Sequence, residues 1–152
     1  MIKKILVAYD DGRQAQKALA AAMDIAKGTG AEIHLASAYI LPIVYQGTIA
    51  SDGVFPDNTA VIDYLYNNSH TYLKKILAEA AEKVSQENIP VFTGILDGSP
   101  GKVITQYADE KKFDLIAVGS HNRSAVNRFF MGSVSNYILQ HSKCLVLVAK
   151  DE

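Results

Sequence analysis

The chain has 152 residues, one domain's worth at roughly 100–200 residues per domain. Hydrophobic residues are 49% and charged ones 20%, a globular balance that excludes a disordered chain. With 15 Lys and Arg against 16 Asp and Glu, the net charge of −1 gives no reason to expect a nucleic acid or an anionic membrane as partner.

Cysteine occurs once, at Cys144, so no disulfide forms within the chain and a reducing, cytoplasmic setting is the expectation. The apolar run after Lys3 and Lys4 ends at Asp10 and Asp11, too short for a signal peptide. No stretch approaches the ~18 apolar residues of a spanning helix.

Ile5 to Tyr9 is a continuous apolar run, as in a parallel strand buried on both faces. Asp10-Asp11-Gly12 ends it. From Arg13 to Lys27, Ala15, Ala18, Leu19, Ala22, Ile25 and Ala26 recur at helical spacing, and Gly28 and Gly30 stop the helix. Glu32 to Tyr39 is the second strand. Ile40 to Pro56 is irregular, broken by Pro42, Gly47, Gly53 and Pro56. Asp57 or Asn58 is placed to cap a long helix with the stripe Ile62, Leu65, Ser69, Tyr72, Leu73, Ile76, Ala80 and Val84, closed by Asn88 and Pro90.

Val91 to Leu96 is the third strand, ended by Asp97-Gly98. Ser99 as cap and Pro100 at the first helical position open a helix that turns Val103, Ile104, Tyr107 and Ala108 inward. Phe113 to Val118 is the fourth strand, Gly119 to Met131 is irregular, Gly132-Ser133 opens the fourth helix, and Cys144 to Ala149 is the last strand. Strict alternation of strand and helix predicts an α/β domain, an open, doubly wound parallel five-stranded sheet with helices on both faces.

Such sheets bind ligands beyond the carboxyl ends of their strands, where strand order reverses. The first β-α turn, Asp10-Asp11-Gly12-Arg13-Gln14, lacks G-x-G-x-x-G, and no G-x-x-x-x-G-K-[ST] occurs. The segment after the fourth strand is more informative. Gly119 can turn tightly at the strand end, and Gly132 and Ser133 stand at a helix start, where free N–H groups favour an anion. Ser133 and Ser135 add hydroxyl donors. No Asp or Glu lies between Asp114 and Asp151, whereas Arg123, Arg128, Lys143 and Lys150 do. Arg123 and Arg128 are therefore candidate phosphate neighbours.

Ile5-Leu6-Val7-Ala8-Tyr9-Asp10, Gly119-Ser120-His121-Asn122-Arg123, Gly132-Ser133 and Cys144-Leu145-Val146-Leu147-Val148 together resemble the universal stress proteins of the UspA type, over essentially the whole chain. The nucleotide-binding branch carries G-x-x-G, a fixed stretch, then G-[ST]. Gly119 fills the first position and Gly132-Ser133 the last pair, while Asn122 replaces the middle glycine. Asn is the residue that next most readily enters the left-handed region.

The resemblance implies one domain over 1–152, with a Rossmann-like sheet of the adenine nucleotide alpha hydrolase type in the order 3-2-1-4-5. It implies that Asp10 contacts the adenosine, and that backbone near Ala8 and Tyr9, with Ala38, lines the adenine pocket. Val118, at the end of the fourth strand, is among the implied nucleotide-binding residues, and Gly119, His121 and Asn122 wrap the phosphates, with Arg123 adjacent. Gly132, Ser133, Val134 and Ser135 supply N–H groups and hydroxyls. ATP or a related adenine nucleotide, Mg2+ or Mn2+ with it, and a homodimer paired through Cys144 to Ala149 are the implied ligands and partner. Leu145 stands where the family often has proline.

No Ser/His/Asp or Cys/His constellation is visible, so binding rather than turnover is expected. His34, His70 and His141 lack metal-ligand spacing and read as structural or surface residues. Cys144 reads as packing. Two alternatives stay open: a stress protein acting through protein contacts without a nucleotide, which Asn122 favours, and a small nucleotide-hydrolysing enzyme.

Overall fold

The computed structural model describes residues 1–39, 59–120 and 132–150, with the backbone alone over 59–66. The elements are β1 (Lys4–Ala8), α1 (Arg13–Thr29), β2 (Glu32–Tyr39), α2 (Thr59–Gln86), β3 (Val91–Asp97), α3 (Pro100–Glu110), β4 (Leu115–Gly119), α4 (Ser133–His141) and β5 (Leu145–Ala149). The expected irregular stretch Ile40 to Pro56, the caps Asp57 and Asn58, and most of the segment after β4 lie outside the described residues.

The sheet has five strands in the order β3-β2-β1-β4-β5, and every pairing is parallel. This is the expected doubly wound arrangement. Alternation within the apolar runs divides the core in two. Ile5 and Val7, Ile33 and Leu35, and Leu115 and Ala117 face α1 and α2. Leu6, Ala36, Ile116 and Val118 face α3 and α4, against Ile104, Ala108 and Ile138. The central strand is buried on both sides because both sides carry helices.

Several ends differ from expectation. Gly28 is helical; Gly30 alone stops α1, at φ 77°, its N–H donating to Ala26 O at 2.8 Å. Phe113 does not open β4. It follows Lys112, at φ 56°, and its N–H returns to Ala108 O at 2.9 Å, so it closes the end of α3. Ser99 holds the N-cap position of α3 with Pro100 behind it, but its hydroxyl makes no capping bond. In α2, Ile76, Leu77, Ala80 and Val84 are buried, whereas Tyr72 is 52% exposed. Steps of four residues drift about 40° each on a 3.6-residue helix, so Tyr72 sits about 120° from Val84.

One carboxylate staples the start of β1 to the start of β4. Asp114 Oδ2 accepts the N–H groups of Lys3 at 2.9 Å and Lys4 at 3.0 Å. These two bonds, Lys3's first, hold the Asp114 carboxyl below its ordinary value, with the positive charges of the N-terminus and Lys3 adding to them and burial opposing. A carboxyl lowered in the folded state gives stability that is present above its unfolded value, near 3.9, and is lost as pH falls through the folded value. Asp114→Asn is expected to lower the melting temperature by a few degrees at neutral pH, and that deficit should shrink as melts are repeated below about pH 4.

Candidate functional site

β1 is central, and the chain leaves it toward β2 and β3 before returning across it to β4. Beyond the carboxyl ends of β1, β2 and β4 lies a cleft of about 330 Å3, within the range of small-molecule sites. Its origin is local. Ala8, Ala36 and Ala38 line it from the ends of β1 and β2; their short side chains leave room that larger residues would fill. Pro100 and Ile104 of α3, Val134 of α4 and Leu73 of α2 complete the apolar walls.

Three helices start at this cleft. α1 contributes Gln14 and Ala15, α3 Pro100, and α4 Val134. Their N-cap residues, Gly12, Ser99 and Gly132, make no side-chain capping hydrogen bond. Their first turns therefore carry no cap from the N-cap side chain, and the helix dipoles give the rim positive potential.

Among the described residues, Asp10 is the one charged lining residue. Its Oδ1 accepts the Gly12 N–H at 2.9 Å. The turn continues through Asp11 at φ 60°, a conformation Asp tolerates better than most residues. Asp11 O accepts Gln16 Nε2 at 2.9 Å, and Asp11 Oδ2 accepts the Tyr72 hydroxyl at 2.9 Å. Tyr9 N–H donates to Ala36 O at 2.9 Å, and Tyr9 O accepts the buried Ser37 hydroxyl. Burial first, then the charges of Asp11, Asp10 and Glu79, push the Tyr9 hydroxyl's pKa up, so it stays neutral.

The structure brings Ala8, Tyr9, Asp10, Ala38, Val118, Gly119 and Val134 together around the cleft. Gly132 is the N-cap of α4 and Ser133 its first residue. His121, Asn122 and Arg123 lie outside the described residues. One expectation changes. Ser135 offers no free hydroxyl proton, because its Oγ is buried and donates to Gly132 O at 2.9 Å. At Gly119, the last residue of β4, the need for glycine is steric. A Cβ there would lie 2.6 Å from Gln14 Cβ, 2.7 Å from Gln14 C and 2.9 Å from Ala15 N. Glycine lets the end of β4 press against the first turn of α1.

Gln14 and Ser37 were not singled out by sequence. Gln14 could have been, since it lies in the first turn of a helix that follows a strand end. Ser37 carries no signal beyond being polar in an apolar strand. The histidines have structural neighbours. His34 meets Glu32 at 2.8 Å and stacks on Phe92. His70 meets Asp97 at 3.2 Å, and His141 bonds Tyr137 O at 2.9 Å.

The family model described as "Universal stress protein family" matches residues 1–150. The chain belongs to the universal stress protein family. The universal stress protein YxiE of Bacillus subtilis is 32% identical over 150 residues, covering 99% of this chain and 100% of that one. Among solved structures, the universal stress protein UspA of Lactobacillus plantarum superposes with a TM-score of 0.79 at 24% identity, covering 97% of each chain. A universal stress protein in complex with cAMP gives 0.69 at 23% identity, covering 96% of this chain and 95% of that one. A family member from Arabidopsis thaliana with AMP bound gives 0.66 at 19%, covering 99% and 92%. These likenesses establish the shared fold.

Among the described residues no helix is long and apolar enough to cross a membrane. Gly119→Ala is expected to cost about 1–3 kcal/mol, measured by denaturant unfolding, because the contacted atoms include backbone that must move. Gly28→Ala, with nothing within 4 Å of the new Cβ, serves as the control and should be neutral or stabilising.

Proposed function

We propose that the cleft binds ATP or a related adenine nucleotide, and that the protein uses this binding in a cytoplasmic stress-response or regulatory role with little or no turnover. The observation that carries the reading is the alanine-floored cleft at the ends of β1, β2 and β4, met by three helix starts without side-chain caps. An apolar slot suits a base, a carboxylate suits sugar hydroxyls, and helix N-termini suit phosphate. The family relatives of this fold with cAMP and AMP bound support the adenine assignment.

In this reading, backbone of Ala8, Tyr9 and Ala38 lies along the base, Asp10 accepts from the sugar, and Gly132, Ser133 and Val134 present N–H groups to phosphate. Gly119, His121, Asn122 and Arg123 belong to the phosphate side, Gly119 by setting where the strand ends. Mg2+ or Mn2+ accompanies the nucleotide, a hard cation held through phosphate oxygens whose charge it would neutralise.

β5 is the sheet edge beyond β4, and Leu145 is 62% exposed on it. Apolar unpaired edges invite pairing, which supports a homodimer through Cys144 to Ala149. Sedimentation should give twice the 16.5 kDa chain mass, and Leu145→Lys should shift it toward the monomer. A wild-type monomer at high concentration would remove the dimer from the account.

Calorimetric titration of ATP with magnesium tests the ligand. Heat of binding is expected for the wild-type protein, and affinity at least about ten-fold weaker for Gly132→Asp. A carboxylate at that N-cap occupies the same N–H groups, and Asp is a good N-cap residue, so the helix is retained. No heat from the wild-type protein at millimolar ATP would favour the alternative, a stress protein working through protein contacts. Equal binding by both would misplace the phosphates.

A further inference from the structure

The turn that carries Asp10 is held from outside its own segment. Asp10 Oδ1 is fixed by Gly12 N–H, and the residue between them, Asp11, stands at φ 60°. A non-glycine residue there costs of order 1 kcal/mol unless its surroundings hold it. Gln16 holds the Asp11 carbonyl from α1. The second restraint comes from the far side of the cleft mouth, where the Tyr72 hydroxyl of α2 donates to Asp11 Oδ2 at 2.9 Å.

Tyr72 is unusual for a helix residue facing outward. Half its surface is exposed, so apolar burial does not explain a large aromatic side chain here. It borders a second hollow, which shares Ala38 and Leu73 with the cleft. The ring therefore stands beside the cleft, and its hydroxyl ties the long helix α2 to the β1–α1 turn. The Asp11 bond also pushes the Tyr72 hydroxyl's pKa up, ahead of burial and the charges of Asp11, Asp10 and Glu79, so the donor keeps its proton across the physiological range.

We propose that Tyr72 is a positioning residue of the cleft: its bond to Asp11 holds the left-handed turn and thereby aims the Asp10 carboxylate at the ligand. The inference rests on the nucleotide reading above and adds a residue that acts through Asp11. It also assigns Asp11 a role distinct from Asp10. One carboxylate faces the ligand and its neighbour anchors the turn to α2.

The test is a double-mutant cycle on AMP affinity, by calorimetry at fixed salt, with Tyr72→Phe, Asp11→Gly and the double variant. Tyr72→Phe keeps the ring and removes the donor. Asp11→Gly adopts φ 60° without strain, so the turn stands without its anchor. The charge lost with Asp11 is common to both of its arms and cancels. Tyr72→Phe is expected to weaken AMP roughly three- to ten-fold with little change in melting temperature, and to have no further effect in the Asp11→Gly background. Wild-type affinity in Tyr72→Phe overturns the proposal alone, as does an equal loss in both backgrounds. An affinity loss that only tracks a fall in melting temperature also overturns it, because that is the mark of a structural role. No AMP binding by the wild-type protein overturns the nucleotide reading and this proposal with it.

Discussion

The site depends first on the contact between the end of β4 and the start of α1. Gly119 lies so near Gln14 and Ala15 that even a methyl group would meet α1 backbone. β4 is beside β1, and α1 leaves β1 over that same pair of strands, so the contact fixes the side of the cleft where strand order reverses. With it in place, the first turn of α1 stands at the cleft rather than above it. The central apolar strands then determine which residues face inward at each carboxyl end.

On that frame, small side chains and free helix starts produce a site without a dedicated catalytic group. Alanines at the ends of β1 and β2 open the floor. Gly12, Ser99 and Gly132 leave the helix starts uncapped by side chains. Net charge does not describe this arrangement. The value of −1 averages a segment from Leu115 to Lys150 that has no acid against a more acidic remainder. Near-neutrality argues against a long polyanion, yet a rim of N–H groups beside an acid-free segment remains suited to one small phosphate ligand.

Much of the fold was legible because it rests on local chemistry. Buried parallel strands read as apolar runs, and Gly30, Asn88 and Gly98 end their elements in left-handed or otherwise positive φ. The departures come from tertiary geometry. Phe113 looks like strand, yet a left-handed Lys112 turns it back onto α3. Tyr72 fits an apolar stripe counted in fours, but helical drift carries it outward to Asp11. Gly119 reads as a strand-end glycine, while its need for glycine comes from a helix more than a hundred residues earlier in the chain. Ser135 reads as a donor, and its proton goes to Gly132 O. None of these contacts has a signature in one sequence.

We propose that the carboxyl ends of β1, β2 and β4, with the start of α4, form an adenine nucleotide site. Backbone amide resonances followed by NMR during an AMP titration report on that placement residue by residue. Shifts are expected to concentrate at Ala8 to Asp10, Ala36 to Ala38, Val118 and Gly119, and Gly132 to Val134. Resonances at the opposite end of the sheet, around His34 and Phe92, should stay in place. Shifts confined to that opposite end, or none at saturating AMP, would contradict it.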